Sequence, residues 1–249
     1  MILLCNGDSW TQGDSPAQTI NWEATKTEDW YDIVPNFGYT NKHAKHILYK
    51  FYDSNVWPKV LGKKLGVETW NAGRLGVDNF SILRRTIRAV EWLLSQGKKD
   101  IFVVIGWTSH TRVPSFIKQE DGRYSFSQTR PYLVEGLTRE SFKQYYTVKE
   151  NFASDIISLQ SYLNTKNIKY LFFNAFDYLE KDLDSYYKSA IDVSNWVNCT
   201  YSVGHFKEYI LQKHNLKGWQ DSKYFKNIHP TDISHIEWGK FLYNYIKTL

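Results

Sequence analysis

The chain alternates between short runs that are apolar throughout and longer stretches in which apolar residues recur every three or four positions. Residues 1–5 (Met-Ile-Leu-Leu-Cys) and 101–105 (Ile-Phe-Val-Val-Ile) belong to the first kind, and the more mixed stretches 67–72 and 168–174 also read as strands. A continuously apolar run of this length predicts a strand covered on both faces, as parallel strands are. The second kind begins at 54–66, where Trp57, Val60, Leu61 and Leu65 share one side of a predicted helix. Ser54 or Asn55 can cap that helix, Pro58 suits its first turn, and Gly66 closes it. Further helices are predicted from about 79 to 95, from 141 to 163, near 204–214, and over 230–249. Strands that alternate with helices predict an α/β domain with a mostly parallel sheet.

Residues 10–52, 113–140 and 175–228 fit this alternation poorly and read as insertions within one domain spanning 1–249. The second of them suggests a hairpin around Asp121-Gly122. Composition fits a globular chain: 249 residues, 42% hydrophobic and 23% charged. A net charge of +5, from 31 basic and 26 acidic residues without a basic block, gives no reason to expect a nucleic-acid partner. No apolar stretch approaches a membrane span, and the apolar start lacks a basic leader. A cytoplasmic protein, or a component of a virus particle, is expected. Cys5 and Cys199 form no disulfide framework and no zinc spacing, and His43 and His46 lack a third ligand. No metal site is expected from these spacings. Aromatic residues reach 17%, with ten Trp and eighteen Tyr, enough for core, partner contacts and sugar stacking.

Polar clusters stand where the predicted strands end. Asn6-Gly7-Asp8-Ser9 follows the first, 73–79 the second, and 108–112 the third. A fourth cluster, 227–235, precedes the last helix and holds His229, Asp232 and His235. In an open α/β sheet the carboxyl ends of strands gather such turns at one edge. A serine there can act as a nucleophile if a base lies within reach and N–H donors meet the developing oxyanion. A Gly-Asp-Ser after a strand is also an ordinary turn, so the first cluster gains meaning only from the others.

Gly7-Asp8-Ser9-Trp10-Thr11-Gln12-Gly13 resembles the first block of the SGNH (GDSL) hydrolases, G-D-S-x-T-x-G. The lead-in helix 57–66 followed by Asn71-Ala72-Gly73-Arg74-Leu75-Gly76 is similar to their second block. Ile105-Gly106-Trp107-Thr108-Ser109 falls at their third, and His229-Pro230-Thr231 at their closing D-x-x-H-P. The resemblance implies a three-layer α/β/α sandwich of the flavodoxin-like kind around about five parallel strands. It also implies a serine ester hydrolase with an acyl-enzyme intermediate and no cofactor. Ser9 would be the nucleophile, the N–H groups of Ser9 and Gly76 would be oxyanion donors, and His229 would be the base.

Two positions depart from that pattern. The family's oxyanion Asn is Thr108 here, whose hydroxyl or the amide of Asn79 would have to serve. The acid expected three residues before His229 is Lys226, so Asp232 or Asp221 would orient the base, or a dyad would operate. Asp232 and His235 form a rival D-x-x-H, which leaves the choice of base between His229 and His235 open. Asp8, Trp10, Arg74, Asn79, Trp107, Arg112 and His235 complete the expected substrate-binding group. In it the arginines would take a carboxylate or phosphate, and the two tryptophans would form a wall. The expected substrate is a small ester or acylated carbohydrate, and a homo-oligomer or larger assembly is possible. The contrasting expectation is a non-catalytic binding or structural module on the same fold, for example in a virus particle.

Overall fold

Four parallel strands carry the molecule: β1 (Ile2–Gly7), β2 (Glu68–Asn71), β3 (Ile101–Trp107) and, later in the chain, a strand at Lys169–Asn174. The computed structural model describes residues 1–13, 55–74, 76–110, 112–118, 124–129, 148–175, 183–200, 205–218, 222–226 and 229–249. Between β3 and the fourth sheet strand lies a hairpin of β4 (Val113–Lys118) and β5 (Tyr124–Thr129), which makes Lys169–Asn174 β6. The hairpin pairs Lys118 with Tyr124, and Asp121-Gly122 lie outside the described residues. Sheet order is β2-β1-β3-β6, so β1 and β3 are central. Among the described residues the sheet has four strands rather than five. On the outer side of β6 a single parallel bridge joins Phe172 to Trp196.

The central strands are largely apolar, yet their side chains still alternate between two faces. Ile2, Leu4, Val103, Ile105, Tyr170 and Phe172 enter one core. That core is completed by α3 (Asn79–Ser95) and α4 (Val148–Thr165), through Ile82, Val90, Phe152, Ile156 and Leu159. Leu3, Cys5, Phe102, Val104, Leu171 and Phe173 enter the other. There they meet α2 (Trp57–Leu65), α6 (His205–Lys213) and α7 (Asp232–Ile246), through Trp57, Leu61, Phe206, Trp238 and Leu242. Three α/β/α layers are therefore present, as expected from the alternation of elements. Among the described residues two short α-helices remain, α1 (Ser9–Gln12) and α5 (Ser185–Ala190). A two-residue ladder, β7 (Phe225–Lys226) with β8 (His229–Pro230), precedes α7.

Local signals held at most helix ends, with one informative exception. Gly66 caps α2 in the left-handed conformation, and Asp78 caps α3 by accepting from the N–H of Ser81. The N-cap of α2 is Val56, without a side-chain bond, instead of Ser54 or Asn55. The N–H of Trp57 instead donates to Nδ1 of His235, 3.4 Å away on α7. On α7 the expected apolar side is incomplete, since Ile233 is exposed while Trp238 and Leu242 are buried. Among the described residues no helix is long and apolar enough to cross a membrane. Cys5 is a buried free thiol, pushed well up by burial, and Cys199 is free and exposed. His43, His46 and Asp221, with most of the expected 10–52 insertion, lie outside the described residues.

Candidate active site

Strand order reverses direction between β1 and β3, and ligands of open α/β sheets bind at the carboxyl ends beside such a switch. Gly7 and Gly106 face each other there in register. A Cβ on Gly7 would stand 2.1 Å from Thr11 Oγ1 and 2.6 Å from the Gly106 carbonyl oxygen. Without side chains at this pair, α1 can turn back directly over the strand ends. Asp8 starts that turn: its carbonyl accepts from Thr11 and Gln12, and its carboxylate accepts from the Trp10 N–H at 3.0 Å. Ser9 is thereby presented at the first position of the helix, almost wholly buried.

The partner of Ser9 comes from the other end of the chain. Nε2 of His229 lies 3.1 Å from Ser9 Oγ. His229 owes its place to the short ladder, in which it pairs with Lys226 while Phe225 and Pro230 are buried beneath. Two bonds lock the ladder to the start of α7: Thr231 N–H to the Tyr224 carbonyl at 2.8 Å, and Ser234 Oγ to the same oxygen at 2.7 Å. With hydrogen on Nδ1, His229 can accept the Ser9 proton through Nε2.

The rival histidine is elsewhere. His235 is fully buried, with Nδ1 accepting from Trp57 and its ring 5.6 Å from that of Phe206. Burial first, and the neighbouring His229 second, push it down to about 3, so it stays neutral. Asp232 does not join it, because its carboxylate hydrogen-bonds Asn55, and burial raises it from the ordinary carboxylate range.

Several expected substrate contacts turn out to be internal. Trp10 packs edge-on against Phe206 at 5.4 Å, and Trp107 against Phe152 and Phe172; both rings are buried and form no wall. Thr108 donates its hydroxyl hydrogen to Asp8 Oδ2 at 2.7 Å, so that hydrogen is directed away from any oxyanion at Ser9. Asn79 accepts from the Thr108 N–H at 3.0 Å and donates to the carbonyls of Thr108 and Ser109. Its amide fixes the start of the loop after β3. Arg112 donates from Nη1 to Asp8 Oδ2 at 3.0 Å, which ties its charge to a buried carboxylate. Arg74 is half-buried, with its N–H on the Gly7 carbonyl. Gly76 has φ 73° within the turn that the Val77 N–H closes onto the Arg74 carbonyl. The N–H groups of Ser9 and Gly76 have no partner among the described residues.

The Asp8, Thr108 and Arg112 cluster was not evident as a unit in the sequence. A buried acid at a strand end demands a cation, but spacing alone could not say which arginine supplies it. Among the described residues no three His, Cys, Asp or Glu side chains gather as metal ligands.

A family model described as a family of unknown function (DUF6071) matches residues 39–205. This segment contains Gly76, Asn79, Thr108 and Arg112 but neither Ser9 nor His229. No curated protein matches the sequence. Similar solved structures include the acetyl xylan esterase AlAXEase, at 13% identity over 100% of this chain and 98% of that one, with a TM-score of 0.47. They also include the psychrotrophic esterase EstA from Pseudoalteromonas sp., at 12% identity over 99% and 97%, with a TM-score of 0.42. A third, TesA, has 12% identity over 100% and 99%, with a TM-score of 0.43.

Proposed function

The chain belongs to DUF6071, a family of unknown function, and for it we propose a carboxylic ester hydrolase that works through an acyl-enzyme on Ser9. The observation that carries this reading is the 3.1 Å contact between Ser9 Oγ and His229 Nε2. A buried serine hydroxyl within hydrogen-bond reach of an imidazole nitrogen, at the switch point of a parallel sheet, has the form of a nucleophile beside its base.

His229 takes the hydroxyl proton as Ser9 Oγ attacks the ester carbonyl carbon. The resulting oxyanion is met by the N–H groups of Ser9 and Gly76, both unpartnered among the described residues. Collapse of the tetrahedral adduct breaks the bond to the alcohol oxygen, and the imidazolium of His229 returns the proton to that oxygen. A water molecule, deprotonated by the same imidazole, then attacks the acyl-enzyme. The acid leaves and the Ser9 hydroxyl is restored.

An O-acetylated carbohydrate is the first substrate to assay. The test is intact mass after exposure to a neutral fluorophosphonate, on wild type, Ser9→Ala and His229→Ala. One adduct on wild type, none on Ser9→Ala, and labelling slowed by about 10² or more in His229→Ala are expected. An inert wild type under conditions that label a control serine hydrolase would leave a binding module as the reading.

A further inference from the structure

Asp8 precedes the proposed nucleophile, and its carboxylate is shut off from solvent. A carboxylate in that position needs donors, and three reach it. Trp10 N–H serves Oδ1, while Thr108 Oγ1 at 2.7 Å and Arg112 Nη1 at 3.0 Å share Oδ2. The Asp8 side chain therefore joins the start of α1 to the loop that follows β3, about one hundred residues away in sequence.

Nη1 of Arg112 carries two hydrogens and has a second acceptor. It lies 3.4 Å from the carbonyl oxygen of Val77, a longer contact than the one to Asp8. Asp8 is the residue before Ser9, and Val77 is the residue after Gly76. One guanidinium nitrogen thus spans the two backbone turns that carry the proposed oxyanion donors. The guanidinium is pinned in turn from its own loop, where the Arg112 N–H meets the Ser109 carbonyl at 3.2 Å and Asn79 holds the carbonyls of Thr108 and Ser109.

We propose that Arg112, with Thr108, is a positioning device: through Asp8 and Val77 it sets the separation between the N–H groups of Ser9 and Gly76. This rests on the hydrolase reading above. In place of an oxyanion side chain after β3, the chain uses that loop to hold two backbone donors at a fixed spacing. Arg112 then contributes to catalysis without touching the substrate. Preorganised donors lose much of their value when they are displaced by as little as about 1 Å, a shift that can cost on the order of 10² in rate.

The test measures the second-order labelling rate with the neutral fluorophosphonate, together with kcat and KM on a neutral acetate ester. The variants are Arg112→Gln, Arg112→Lys, Thr108→Val and the double variant Asp8→Asn/Arg112→Gln. Arg112→Gln should label about tenfold more slowly or worse, with the loss in kcat and little change in KM. Thr108→Val should fall between it and wild type, and Arg112→Lys should recover part of the loss. The double variant should label faster than Arg112→Gln alone, because it no longer buries an unpaired carboxylate. A melt of each variant, set beside an equally destabilised His235→Ala, separates positioning from general loss of structure. Labelling of Arg112→Gln within twofold of wild type would overturn the proposal while leaving the hydrolase reading intact. A double variant no faster than Arg112→Gln would do the same. An inert wild type would overturn both.

Discussion

The N–H of Trp57 donates to Nδ1 of His235 across 178 residues of sequence, and so α7 supplies the N-cap that α2 lacks in its own sequence. This single bond decides the role of His235. Its Nδ1 is occupied and its ring is packed in the core beside Phe206 and Trp238, so it serves stability.

Replacement of His235 by alanine should therefore cost stability and spare chemistry. Loss of the cap and the cavity left behind should lower unfolding free energy by about 2 kcal/mol or more. At a temperature where the variant is folded, Ser9 should label within about twofold of the wild-type rate. Urea melts and the labelling rate, measured on the same preparation, check both halves.

A second buried histidine extends the point to pH. His205 accepts from the Asn174 N–H at 3.2 Å, and burial pushes it down to about 4. Both histidines stay neutral in the folded protein at pH values where the unfolded chain takes up protons. Stability should therefore be fully present above about pH 6.5 and fall as pH drops toward the folded values of about 4 and 3.

Asp155 works in the opposite direction over much of that window. Burial, with the charge of Asp78 second, raises it to about 7, so the folded form holds a proton that the unfolded chain releases above about pH 4. Its stabilising contribution is present at low pH and is lost as pH rises toward 7. Between about pH 4.5 and 6.5 the two histidines and Asp155 should leave a net slope near one proton, or about 1.4 kcal/mol per pH unit. In Asp155→Asn the slope should steepen toward two protons, and stability at pH 8 should rise. A series of urea titrations across pH gives both quantities.

The two strand-end glycines predict a contrast with Gly66. Gly7→Ala would force a methyl group into Thr11 Oγ1 and the Gly106 carbonyl, so α1 must shift. It should cost about 2 kcal/mol or more and slow Ser9 labelling. Gly66→Ala meets nothing within 4 Å and bears only the strain of φ 69°, a loss of about 1 kcal/mol without effect on labelling. Equal effects on labelling from both variants would contradict the close approach as the reason for Gly7.

Introduction of an asparagine at position 108 should not help. Thr108→Asn places a longer side chain in a buried site and removes the hydroxyl that serves Asp8. A labelling rate below that of wild type is expected, measured under the conditions used for Thr108→Val.

The elements themselves were legible because their signals are local. The apolar runs at 1–5 and 101–105 and the aromatic-rich stretch 168–174 became β1, β3 and β6, and the spacing of Trp57, Leu61 and Leu65 became α2. The turn that presents Ser9 was legible from a strand followed by Gly-Asp-Ser, and the polar cluster that holds both His229 and His235 from its place around the start of the last helix. Aromatic side chains were the poorest guide. Trp10 and Trp107 follow the site turns in sequence, but large rings bury wherever the adjacent layer leaves volume, and both point into core.

The sequence by itself determined the order of strands and helices, the two-faced burial of each strand, and the turn that presents Ser9. Each of these depends on residues a few positions apart. Which histidine meets Ser9, which arginine balances Asp8, and where the hydroxyl of Thr108 points were decided only by the tertiary structure. His229 and His235 differ by six positions and carry the same side chain, yet one faces Ser9 and the other caps α2. The physical reason is that a buried polar atom is satisfied by whatever partner the packed layers bring within about 3 Å, and that partner stands one or two hundred residues away in the chain.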